Sequence, residues 1–146
     1  MTDRSPYPEV RAFLLAVVAG SLAAAAPALL ITVPLGLMMV FDDGHLNGLA
    51  IMFAPFVISF PCVLIASLLI GLPLTTVLAW MGRERVEFYV IAGLIIGPVP
   101  FLVLMFQADG SSDLAFAAAC GAIGGAVTGW VWGRHRDELA AEFLPD

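Results

Sequence analysis

Residues 48–81 read GLAIMFAPFVISFPCVLIASLLIGLPLTTVLAWM, and residues 82–87 that follow read GRERVE. No Asp, Glu, Lys or Arg occurs between Gly44 and Gly82, and a straight helix of that length would be about 58 Å long. The hydrocarbon core of a bilayer is only about 30 Å thick. One crossing with an overhang and two crossings that turn near Ser59–Pro61 are both open on length alone. Arg83 and Arg85 decide between them, because cytoplasmic segments retain Lys and Arg while translocated ones do not. Two crossings would put this arginine pair on the side opposite to the others. A single crossing, at about Phe56–Trp80, with Leu49–Pro55 as an outer interfacial segment or a tilted extension, keeps all of them on one side.

The pattern extends to the whole chain. Four apolar runs, Ala12–Phe41, Gly48–Met81, Phe88–Ala108 and Leu114–Trp132, contain none of the charged side chains. The five polar pieces around them hold two, zero, two, zero and two arginines, with no lysine anywhere. Acidic residues, by contrast, run two, two, two, two and four, so the net charge of −6 carries no topological signal. Orientation follows the basic residues. The expected fold is therefore an all-α membrane protein of four transmembrane helices with both termini inside, a compact helical bundle. Its spans fall at about 13–33, 56–80, 88–106 and 114–132, and residues 1–146 form a single domain. Trp80, Trp130, Trp132 and Tyr89 lie at the ends assigned to the inner face, where interfacial aromatic belts occur.

Composition points the same way. The chain is 61% hydrophobic and 12% charged, against about 25% charged in soluble domains, and its mean hydropathy is +1.00. A chain of 146 residues has no core large enough to hide that much apolar surface from water, so the expected partner is the lipid bilayer. Without a basic patch, nucleic acid is not an expected partner. Arginine without lysine, amid abundant Ala and Gly, suits a bacterial cytoplasmic (inner) membrane. Ala12–Ala28 resembles a secretory leader, with a possible cut after Ala28, but the apolar run continues to Phe41, which suits an uncleaved anchor.

Prolines mark expected irregularities. Pro27 lies inside the first span and Pro34 just past its end, and Pro98 and Pro100 kink the outer third of the third span. Arg134 and Glu138 are spaced for an i,i+4 pair, and Gly133–Asp146 reads equally as a short interfacial helix or a solvated tail. Residues 29–35 and 68–74 match at five of seven positions, an echo that fits an inverted structural repeat of the kind found in transporters but that chance explains better in a chain so rich in Leu and Ile.

The strongest local motif concerns packing. Ala117, Gly121, Gly125, Gly129 and Gly133 recur every four residues on the fourth span, a glycine-zipper pattern. Gly93 and Gly97 form a shorter ridge on the third, and Ser67 and Gly71 a weaker one. Such ridges let two helix backbones approach closely. They serve either to pack the spans of one chain or to form a seam with a second copy or another membrane protein.

Catalytic signals are weak throughout. No ionisable residue enters a span, and Ser21, Thr32, Ser59, Ser67, Thr75, Thr76 and Thr128 can return their hydroxyls to helix carbonyls. Cys62 and Cys120 lie within apolar runs as small packing residues, and His45 and His135 fall on opposite sides of the membrane. Asp42, Asp43, His45 and Asn47 form the one dense polar loop, which reads as a solvated turn more readily than as a cation site. No enzyme, metal or cofactor is expected. The expected role is a small structural or accessory membrane protein acting through helix contacts. The alternative is a small oligomeric transporter or channel without an intramembrane ionisable site.

Overall fold

A computed structural model describes residues 8–42, 45–81, 85–107 and 114–142. All its regular elements are helical: α1 (Pro8–Asp42), α2 (His45–Ala66), a π-helical turn (Ser67–Gly71), α3 (Leu72–Trp80), α4 (Val86–Ile96), α5 (Pro98–Gln107) and α6 (Leu114–Glu142). In lipid a spanning backbone must satisfy its own hydrogen bonds, and for runs of this composition the helix does so residue by residue. Four stretches are long and apolar enough to cross a membrane: Glu9–Phe41, Asn47–Trp80, Val86–Gln107 and Leu114–Leu139.

The side chains are sorted by size in the direction expected when the solvent is lipid. Large apolar groups point outward, with Leu30 79%, Leu69 70% and Phe106 72% exposed, whereas Ala16, Ala24, Ala25 and Ala117 are buried. Helices surrounded by hydrocarbon gain little from hiding Leu from lipid, and gain more from close contact through small residues. The best-buried interior is a small cluster of Val17, Ala24 and Val63, flanked by Phe13, Phe60, Leu64 and Phe101.

The second apolar run is one continuous rod. It passes straight through Ser59–Pro61 and reaches Trp80 with no reversal, widening into a π turn only at Ser67–Gly71. Pro73 accounts for that turn: its ring crowds the carbonyl four residues earlier, at Leu69, and it has no N–H to donate. Widening relieves the clash, and the N–H of Leu72 bonds instead to the Ser67 carbonyl. Residues 29–35 carry the same Pro in the same local sequence, yet remain ordinary α-helix. The echo therefore has no counterpart in the backbone.

Several boundaries differ from the sequence reading. α1 continues through Pro34 to Asp42, so Pro34 lies inside the helix and not beyond it. Leu49–Pro55 is a full part of α2. The third span is interrupted at Gly97, ahead of Pro98, and Gly97 keeps a helical φ of −52° and ψ of −37°. α6 does not end at Trp132 but runs on to Glu142, carrying the Arg134–Glu138 pair at 3.4 Å; Phe143 and Leu144 lie outside the described residues. So do Asp43 and Gly44 of the first polar loop, residues 82–84 of the second and 108–113 of the third.

Neighbouring helices run antiparallel, so α1 begins and α6 ends at the same end of the bundle, here called the terminal end. Ala24 of α1 lies level with Gly124 of α6, and ten residues further along each helix Pro34 is level with Leu114, where α6 starts. The last eight residues of α1, up to Asp42, project beyond that level by about 12 Å at the helical rise. Gly36 and Gly48 clamp this projection to α2: a Cβ on Gly36 would sit 2.6 Å from the Gly48 carbonyl oxygen.

Reporter fusions at Asp43 and Arg85 are expected on opposite sides of the membrane. Both on one side would mean that the run from Gly48 to Met81 crosses twice.

Candidate functional site

α6 is packed on two sides by two different rows of small residues. Along one row, Gly121, Gly125 and Gly129 face α4 and the start of α5. The carbonyl oxygens of Gly93 and Gly125 occupy one another's Cβ positions, Gly97 and Gly121 do the same, and Gly129 meets the Tyr89 carbonyl. Gly133 continues the row, with Val86 Cα 3.0 Å from its Cβ position, and buried Ala117 extends it at the other end. Six of the small residues singled out in the sequence, Gly93, Gly97, Gly121, Gly125, Gly129 and Gly133, thus lie along the α4–α6 seam or its extension toward α5, whereas Ser67 and Gly71 lie in the π turn.

The second row escaped the sequence reading. Gly124 and Thr128 face Gly20 and Ala24 of α1, and a Cβ on Gly20 would lie 2.8 Å from the Gly124 carbonyl oxygen. The signal was present as Ala16, Gly20, Ala24 and Ala28 at four-residue spacing, but it was hidden in an alanine-rich run. Hydroxyls support these contacts. Ser21, Thr75, Thr76 and Thr128 each donate to the carbonyl four residues back. Ser59 donates across to the Ser21 carbonyl at 3.0 Å, joining α2 to α1. Thr32 Oγ1 is buried without a hydrogen-bond partner.

The bundle is loosest around α3. α4 packs closely on α6, α6 on α1 and α1 on α2, whereas among the described residues α3 makes a close backbone approach only to the π turn that precedes it, and none of that kind to α4. Between them lies an apolar cleft of about 90 Å³, floored by Gly93, Gly97, Gly121, Gly125 and Gly129, with Phe13, Ile70, Leu74, Ile96 and Phe101 among its walls. Ser67, Ile70 and Gly71 of the π turn line it as well, so the widened helix forms part of the wall. Trp132 spans the terminal end of the cleft. Its indole N–H donates to Thr75 Oγ1 at 3.1 Å, and the Thr75 hydroxyl donates to the Gly71 carbonyl at 2.8 Å. Its ring stands edge-on to Phe13, with centroids 5.9 Å apart. Trp132 therefore faces inward as a polar latch, unlike Trp80, which is 89% exposed.

Other candidates remain dispersed. Cys120 is buried and Cys62 half-buried, both as free thiols. Among the described residues no group of three or more His, Cys, Asp or Glu comes together. Of the polar residues Asp42, Asp43, His45 and Asn47, Asp42 ends α1 and His45 and Asn47 lie in the first turn of α2, while Asp43 lies outside the described residues. The site is thus a hydrocarbon-lined cleft with hydroxyl and indole groups at one end, in a chain with four helices able to cross a membrane. Comparison with protein-family models, with curated proteins and with solved structures finds no match to this chain.

Gly93→Ala is expected to destabilise the protein by about 1–3 kcal/mol, since backbone cannot yield as a side chain can. Gly71→Ala, whose Cβ would meet only Ser67 Cβ at 3.8 Å, is expected to be neutral within about 0.5 kcal/mol. Thermal unfolding of both variants in one detergent checks the contrast, and equal effects would contradict the packing.

Proposed function

We propose that this chain is a small accessory protein of a bacterial cytoplasmic membrane, with both termini inside, acting by docking its distal hairpin against another membrane protein. The reading rests above all on one observation: the apolar surface of α1 and α2 continues past the level at which α6 begins. α1 alone has 35 residues, about 52 Å of helix, against about 30 Å of hydrocarbon. Tilting to absorb the whole excess would need an angle well above the usual range of about 0–40°. Leu35, Met38 and Phe41 at this end are 51%, 68% and 85% exposed. An apolar surface of that kind, carried out of the hydrocarbon, marks an interaction site.

The orientation is supported by the arginines, which all belong to sequence segments at the terminal end. The small-residue rows support a role inside the chain rather than at an oligomer seam, since both are already filled by α1 and α4. That weighs against a channel assembled along these rows. The proposed partner presents its own apolar surface at the outer interface.

Gentle extraction from native membranes is expected to bring down one membrane protein in stoichiometric amount. Met38→Gln combined with Phe41→Ser is expected to lose it, with unchanged elution and helicity. Monomeric protein with no companion would defeat the reading.

A further inference from the structure

We infer that the cleft between α3 and α4 is a binding site for one acyl chain of a glycerophospholipid, whose phosphate is met by Arg85 at the terminal mouth. The cleft lies near the terminal end, away from the distal hairpin, so this inference stands or falls separately from the docking role.

Size selects the class of occupant. A water-sized group takes about 10–15 Å³ of such space, so 90 Å³ admits roughly six to nine groups of water or methylene size. A helix, about 10–12 Å across with its side chains, is far too wide. A segment of roughly six to nine methylenes of a linear alkyl chain fits the volume, the rest of the chain lying in the bilayer, and the glycine floor lets that segment lie directly against backbone. Left empty, the lining would forfeit the dispersion contacts that filled space supplies. Water is a poor filler, because the wall between Phe13 and Phe101 is hydrocarbon and Trp132 and Thr75 already satisfy one another.

Access and charge select a membrane lipid over a free apolar solute. Because α3 and α4 make no close backbone approach among the described residues, the cleft they both line faces laterally toward the bilayer, where acyl chains are the solvent. Arg85 lies four residues, about one helical turn, before Tyr89 in the cleft wall. It is exposed and forms no ion pair among the described residues. It stands at the N-cap of α4 with φ −116° and ψ 142°, and its side chain does not cap the helix. The Phe88 N–H is bonded to the Arg85 carbonyl at 3.1 Å, so the N–H groups of Val86 and Glu87 are the ones that, with the guanidinium, suit a phosphate. Glu87, in the first turn of α4, tempers the positive charge, which suits a phosphate carrying a cationic head better than a doubly anionic one.

The test uses the full chain in detergent with Trp80→Phe and Trp130→Phe, leaving Trp132 as the sole indole. The probe is a phosphatidylethanolamine brominated at mid-chain. Quenching of Trp132 is expected to saturate at one lipid per chain. Ala92→Phe, which fills the cleft from α4, is expected to abolish the saturable phase, and Arg85→Gln to weaken it about tenfold. Brominated methyl palmitate, which has the chain but no charged head, is expected to bind more weakly than the phospholipid and to be indifferent to Arg85→Gln. Should Ala92→Phe fail to fold, Ala66→Leu fills the same space from α2. Quenching that never saturates, or that survives a filled cleft, would overturn the site. Binding of the uncharged ester as tight as that of the phospholipid would overturn the phosphate assignment.

Discussion

Backbone contact along α6 sets the distances on which the rest of the bundle depends. A helix carrying Leu at every facing position keeps its neighbour about 8–10 Å away; one carrying Gly lets carbonyl oxygens enter the space of the missing side chains. α6 does this on two faces at once, with Gly121, Gly125 and Gly129 toward α4 and Gly124 toward α1. In hydrocarbon, where hiding an apolar side chain from lipid gains almost nothing, this intimacy is the main attractive term available. It also explains why the bundle can place its bulky residues outward. Leu30 and Ile95 contribute more by solvating the protein in lipid than by filling an interior already closed by glycine and alanine.

The same intimacy creates a vacancy. α6 draws α1 and α4 close, and α2 follows α1 through Ser59 and the Gly36–Gly48 clamp. Nothing equivalent draws α3 to α4. Pro73 then widens the helix just before α3, as one extra residue enters the turn, and the remaining nine residues of α3 are tied to α6 by the Trp132–Thr75 hydrogen bond. A bond of this kind inside a membrane contributes about 0.6 kcal/mol on average, much less than a row of glycine contacts. The cleft is thus the consequence of an uneven distribution of small residues, strong on three seams and absent on the fourth.

How much of this was legible in sequence depended on the kind of signal. Arg83 and Arg85 correctly argued for one crossing in the longest run, because a charge is costly to bury and leaves an unambiguous mark. The α6 row was visible because glycine is conspicuous among Ala and Val. Gly20 was not, since the four-residue row around it consists mostly of alanine in a stretch, residues 12–28, where eight of seventeen residues are alanine. Pro34 misleads in the opposite direction: it marks the expected end of the span, yet α1 continues through it to Asp42, packed against α2 at the Gly36–Gly48 contact. Trp132 was read from its depth alone. Depth does not tell which way a side chain faces, and here the ring turns inward to Thr75. The cleft had no sequence signature at all, because it arises where two helices fail to meet.

The two ends of the molecule therefore differ in how their apolar surface is presented. At the distal end α1 and α2 are clamped by paired glycines, so the projection is a stiff convex ridge, and a stiff ridge favours a partner of matching shape over disordered chains. Toward the terminal end the surface is concave, narrow and bounded on one side by α3, the segment with the weakest tie to its neighbours. Concave narrow surfaces favour flexible linear occupants, which can adapt their torsions to the wall. A protein partner proposed at one end and a lipid chain proposed at the other follow from this difference in curvature and stiffness, since both surfaces are apolar and composition alone does not separate them. The asymmetry traces back to two residues: Gly48, which locks α2 to α1, and Pro73, which releases α3 from the regular helix.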